Sequence, residues 1–134
     1  RLRAKNGANP IEMNDIIKHI YQNKECKIIG LIADQNPVVN DTTKWTCFFN
    51  QSVPVIDGPE KIARKMNFPV LFCNMNKINE GYYTINFEVI DENPTTSNIG
   101  DITKKFFKRL EEKIKEEPNN YLWSHNRWKH TKKI

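Results

Sequence analysis

Two stretches of the sequence concentrate the residue types that bind polar ligands. Asp34-Gln35-Asn36-Pro37 places a carboxylate, two amides and a chain-stiffening ring directly after the apolar run Ile28 to Ala33. If that run is a strand, the turn sits at its carboxyl end, the edge at which open α/β sheets bind their ligands. The second stretch, Pro118-Asn-Asn-Tyr-Leu-Trp-Ser-His-Asn-Arg-Trp-Lys129, holds two tryptophans, a histidine and an arginine within six residues. It admits two readings. Leu122, Trp123 and Trp128 could dock on a sheet while Arg127 faces water, or the aromatics could stack on bases between basic flanks, as in single-strand nucleic-acid binders.

Other chemistries fail on inventory. The serines are Ser52, Ser97 and Ser124, none in a Gly-x-Ser-x-Gly elbow, so a serine hydrolase is not supported. Gly7, Gly30, Gly58, Gly81 and Gly100 are isolated, which excludes a phosphate-cradling glycine loop or a dinucleotide fingerprint. His125 and His130 stand five apart with no acid or cysteine nearby to complete a metal set, and no cofactor is expected. Cys26, Cys47 and Cys73 are odd in number and widely spaced, which suits a reducing compartment rather than a disulfide framework.

The elements that must position these residues follow from periodicity. Asn9, Pro10 and Glu12 read as a helix start, and Met13, Ile16, Ile17, Ile20 and Tyr21 form one apolar stripe of a helix ending near Asn23. Lys27 to Ala33 is apolar on both faces and predicts a central strand of a covered parallel sheet. The stretch to Val55 has no helical period and reads as a long irregular loop with one short strand. Asp57, Pro59 and Glu60 open a second helix, whose buried side is Ile62, Ala63 and Met66. Phe68 to Cys73 is a short buried strand; after a turn over Asn76 to Gly81, the alternation of Tyr83, Ile85, Phe87 and Val89 predicts a half-buried strand, hairpin-paired to it. Ile102, Phe106, Leu110 and Ile114 define a helix from about Asp101 to Glu117, halted by Pro118. The expected fold class is α/β, with a mixed, largely parallel sheet flanked by helices.

With 134 residues, 38% of them hydrophobic and 10% aromatic, the chain can build a core and does not read as disordered. No apolar stretch approaches the ~20 residues of a membrane-spanning helix. The net charge of +5 is concentrated at the ends: Arg1, Arg3 and Lys5 lead, and Arg127, Lys129, Lys132 and Lys133 close the chain. Basic ends on a near-neutral body suit an acidic partner, a phosphate-bearing substrate or an anionic membrane face.

Nearly the whole chain resembles the bacterial lipid A biosynthesis acyltransferases, the lauroyl and myristoyl transferases of the lysophospholipid acyltransferase superfamily. The resemblance is carried by Arg3-Ala-Lys-Asn-Gly7 before an amphipathic helix, by Gly30-Leu-Ile-Ala-Asp-Gln-Asn36, and by Gly58 to Ala63 followed by Phe68-Pro-Val-Leu71. It is most specific in the ending from Pro118 to Lys129, from which the chain departs with Asn119, Asn120 and Asn126. The family signature of a histidine with an acid five positions on does not occur: five after His19 is Lys24, and five after His125 is His130. The resemblance therefore implies that residues 1–134 are the C-terminal part of a single acyltransferase domain, with the catalytic histidine motif and membrane anchor upstream, and that the chain alone is inactive.

In such enzymes the histidine acts as general base on an acceptor hydroxyl, which attacks the thioester of an acyl carrier protein. The resemblance implies that Arg3 holds a phosphate or sugar of a lipid A precursor. It implies that Asp34 and Gln35 position the acceptor or brace Arg3, and it places Asn36, His125 and Arg127 with them as substrate-binding residues. The expected setting is the cytoplasmic face of the bacterial inner membrane, against an anionic membrane surface and without nucleic acid. Two alternatives stand beside it: a basic module that engages nucleic acid or an acidic partner through its aromatic tail, and an acyltransferase that acts on another amino or hydroxyl lipid.

Overall fold

The computed structural model describes residues 10–12, 15–23 and 28–132. The chain divides into two units, residues 1–31 and 32–134. In the first, helix α1 spans Ile16–Gln22 and buries Ile20; Pro10 to Glu12, read as its start, are not helical, and Tyr21 of the expected stripe is exposed. Asn9, Met13 and the arginine block around Arg3 lie outside the described residues.

In the second unit, strands β1 (Lys44–Phe48) and β2 (Gln51–Val55) pair antiparallel, with Lys44 opposite Val55 and Phe48 opposite Gln51. Phe49 and Asn50 join them with φ of 50° and 57°. Two left-handed residues in succession make the primed turn that matches strand twist. Such a φ is costly for an aromatic residue, and two contacts offset it: the Phe49 N–H donates to Glu111 Oε2 at 2.8 Å, and the Lys115 ammonium sits over the ring.

Helix α2 (Gly58–Met66) follows, then β3 (Val70–Asn79) and β4 (Tyr82–Asp91), a ten-residue antiparallel hairpin. Helix α3 (Asp101–Glu116) is halted at Pro118, as expected, and a 3-10 turn spans Pro118–Asn120. Phe107 and Ile114 of α3 pack on Phe48, Val53 and Val55 of the first hairpin, with Phe106, Leu110, Tyr121 and Trp128 around them. Burying each of the large apolar side chains stabilises the unit by about 1.5–3 kcal/mol.

The expected mixed, largely parallel sheet is not what the described residues form. They build two antiparallel two-stranded sheets with three helices. Residues 28–33 are not strand, and Ile28, Leu31 and Ile32 are exposed. Apolarity on both faces states what a strand would need around it, but a strand exists only where a neighbour accepts and donates its backbone hydrogen bonds. The long loop holds two short strands instead of one.

The β3–β4 pairing agrees with the sequence reading, but β3 runs on through residues 76–79, read as turn, and the buried face differs. Phe72 and Asn74 turn inward, whereas Tyr83, Ile85, Phe87 and Val89 are exposed together with their cross-strand partners Leu71, Cys73 and Met75.

Candidate functional site

The turn at Asp34 to Asn36 and the C-terminal tail, almost 90 residues apart in sequence, meet. Asn36 is the centre of the contact. Its backbone N–H donates to His125 Nε2 at 3.1 Å, and its side-chain amide donates to the Asn126 carbonyl at 2.7 Å. Its Oδ1 accepts from Arg127 Nη1 at 2.5 Å. Both ends of one amide and one backbone amide are thus bound by three successive residues of the tail.

The tail can present three successive residues because it is a chain of tight turns. His125 N–H donates to the Leu122 carbonyl at 3.0 Å and Arg127 N–H to the His125 carbonyl at 2.6 Å. Trp128 anchors the segment by stacking on Phe48 at 5.6 Å, with ring planes 7° apart. Trp123 stacks on the outer face of Trp128 and donates its indole N–H to the Pro118 carbonyl at 2.7 Å.

Arg127 is fully buried, 0% exposed. A guanidinium in the interior needs hydrogen bonds and charge compensation. Nη2 donates to the Pro54 carbonyl at 2.8 Å, and the cation lies 5.1 Å from the Phe107 ring centroid and 6.0 Å from that of Phe48. Each hydrogen bond from a charged donor contributes about 1.5–3 kcal/mol, and each desolvated ring contact up to about 2. Burial pushes the guanidinium below its ordinary pKa, opposed by the nearby Tyr121 and Asp34. Burial raises the Tyr121 phenol, and the Asp34 charge raises it further. Arg127 Nε and Trp128 Nε1 are buried and have no hydrogen-bond partner among the described residues.

Arg127 therefore does not face water, and neither Leu122 nor Trp123 docks: both are exposed, and Trp128 alone of the three turns inward. A charged side chain was read as solvated because its acceptors, Asn36 and Pro54, stand 91 and 73 positions away. The stacking platform of the nucleic-acid reading is likewise absent as drawn, since its arginine and one of its tryptophans belong to the core. Tyr121, which sequence reasoning passed over, shares the electrostatic neighbourhood of Asp34 and Arg127.

His125 has its accepting nitrogen taken by the Asn36 N–H, so the ring carries its proton on Nδ1 and has no free lone pair for general base work. Asp34 is half-buried and Gln35 exposed, and among the described residues nothing hydrogen-bonds either side chain. The arrangement thus fixes Asn36 and leaves a carboxylate and an amide beside it available to a ligand. A groove of about 670 Å³ between Trp45, Cys47 and the α3 residues Lys104, Lys108, Glu111 and Lys115 does not include this turn. No group of three or more metal-ligating side chains occurs among the described residues.

Among the described residues, then, a carboxylate-bearing turn is pinned through Asn36 by His125, Asn126 and Arg127 of the tail. Residues 1–130 match the family described as bacterial lipid A biosynthesis acyltransferase, and the chain belongs to that family. No curated protein matches the chain. Membership brings acyl transfer in lipid A biosynthesis, with a lipid acceptor and an acyl donor. No helix among the described residues is long and apolar enough to cross a membrane.

Proposed function

We propose that this chain supplies the acceptor-binding side of an acyltransferase that moves a fatty acyl group from acyl carrier protein to a hydroxyl of a lipid A precursor. The reaction takes place at the cytoplasmic face of the bacterial inner membrane, where the basic ends of the chain meet an anionic surface. The observation that carries this reading is that the turn bearing Asp34 and Gln35 is tied through Asn36 to His125, Asn126 and Arg127. A hydroxyl donating to Asp34 is oriented, and fixed orientation of a nucleophile is worth a large share of an acyl-transfer barrier. By the family resemblance Arg3, which lies outside the described residues, is the candidate ligand of an acceptor phosphate, since its fork suits one.

Proton removal falls to a histidine that the 134 residues do not contain, because none of His19, His125 and His130 has an acid five positions on. Residues 1–134 alone are accordingly inactive. The test is to incubate the full-length protein, and separately residues 1–134, with acylated carrier protein and a lipid A precursor, and to weigh the products by mass spectrometry. Addition of one acyl group by the full-length protein alone is expected. Turnover by residues 1–134 alone would overturn the division of labour, and acylation of a different lipid would replace the acceptor.

A further inference from the structure

We infer that Arg127 and His125 are positioning residues that act on the acceptor through Asn36 and do not touch it. The inference rests on the reading of Asp34 as an acceptor-binding residue. Arg127 reaches no solvent, and its two terminal nitrogens are committed to Asn36 Oδ1 and the Pro54 carbonyl. The His125 lone pair is committed to the Asn36 backbone N–H. Neither group is therefore available to grip a lipid phosphate.

What they determine is the placement of one residue. Residues 33–37 belong to no strand or helix, so no ladder places the turn. Asn36 is instead tied at its backbone N–H, its side-chain nitrogen and its side-chain oxygen. Three ties at one residue fix both its backbone and its χ angles. Asp34, two residues earlier, inherits that placement.

The geometry distinguishes the members of the clamp chemically. Lysine at position 127 keeps the charge but cannot reach both acceptors as a fork does. Glutamine at position 125 can still accept the Asn36 N–H through its carbonyl oxygen, whereas alanine cannot.

The experiment uses the full-length enzyme and measures KM for the lipid acceptor, KM for acylated carrier protein and kcat in Asp34→Asn, Asn36→Ala, Arg127→Lys, His125→Ala and His125→Gln, with thermal unfolding of each. Asn36→Ala and Arg127→Lys are expected to raise the acceptor KM about tenfold with the donor KM unchanged. Their double variant is expected to be no worse than twofold beyond the worse single one, because both break the same tie. His125→Gln is expected to restore at least half of what His125→Ala loses.

Should Arg127→Lys fail to fold, Asn36→Ala and the His125 pair decide the question. If Asp34→Asn shifts the acceptor KM while Asn36→Ala and the His125 variants do not, the clamp has no positioning role, though the acceptor reading stands. A loss of kcat that merely follows the folded fraction, with both KM values constant, overturns the positioning role in favour of a structural one. An unchanged acceptor KM in Asp34→Asn overturns the acceptor reading, and the inference falls with it.

Discussion

The Glu60 carboxylate, in the first turn of α2, caps α3: it accepts the backbone N–H of Thr103 at 3.0 Å and that of Gly100 at 2.5 Å, and also the Thr103 hydroxyl. Gly100 precedes the helix with φ of 92°, a conformation that suits glycine, and no side chain of its own could satisfy those amides. A buried acid from a neighbouring helix does so and also faces the positive end of the α3 dipole.

Glu60→Ala leaves two partly buried amides unpaired. It is expected to cost about 2–3 kcal/mol, seen as a fall in Tm of roughly 10 °C. A change below about 2 °C would show that water replaces the carboxylate.

Asp91 governs behaviour in acid. It accepts from Ser97 Oγ at 2.6 Å, Lys105 Nζ at 3.0 Å and Asn93 N–H at 3.0 Å, and the Ser97 hydrogen bond is the largest influence holding its pKa below the ordinary 3.8. A carboxyl with a lower pKa folded than unfolded stabilises the fold fully above its ordinary value and loses that contribution as pH falls below it. Wild-type Tm is therefore expected to drop between pH 5 and pH 3. Asp91→Asn should start lower at pH 7 and fall less over the same range. Parallel curves for the two proteins would show that other carboxyls dominate.

The outer face of the β3–β4 hairpin sets solubility. Leu71, Met75, Tyr83, Ile85, Phe87 and Val89 share one exposed face, with Phe87 65% exposed. A contiguous apolar patch of this extent drives association. Residues 1–134 are expected to bind an apolar fluorescent dye and to self-associate at micromolar concentration. Ile85→Thr combined with Phe87→Lys should cut dye binding severalfold with the far-ultraviolet circular dichroism unchanged. Equal dye binding by the variant would locate the exposed surface elsewhere.

Much of the local structure was legible because it depends on neighbours within a few residues. The stripe Ile102, Phe106, Leu110 and Ile114 gave α3 within a residue of its observed end, and the alternation from Tyr83 to Val89 gave β4 and its partner. The strand expected at residues 27–33 did not follow, because pairing is decided by other strands. Lys27 lies outside the described residues. Alternation also gave the apolar face of β4 without saying that Phe72 and Asn74, on the opposite face, would be the ones covered.

The site divides the same way. Asp34, Gln35 and Asn36 stood out as a polar turn, and the tail stood out by composition. That the two touch, and that Arg127 is interior, depends on a 91-residue separation that no local pattern encodes. Glu60 was read as an acid of its own helix start; its carboxylate serves α3 instead, 40 residues on.

The most direct measurement is acyl transfer by the full-length Asp34→Ala variant, from acylated carrier protein to a lipid A precursor, in membranes where its abundance and Tm match those of the wild type. A fall of at least tenfold is expected, since the variant lacks the carboxylate that the His125–Arg127 clamp holds in place. Undiminished turnover would remove Asp34 from the site and contradict an acceptor-binding role for this turn.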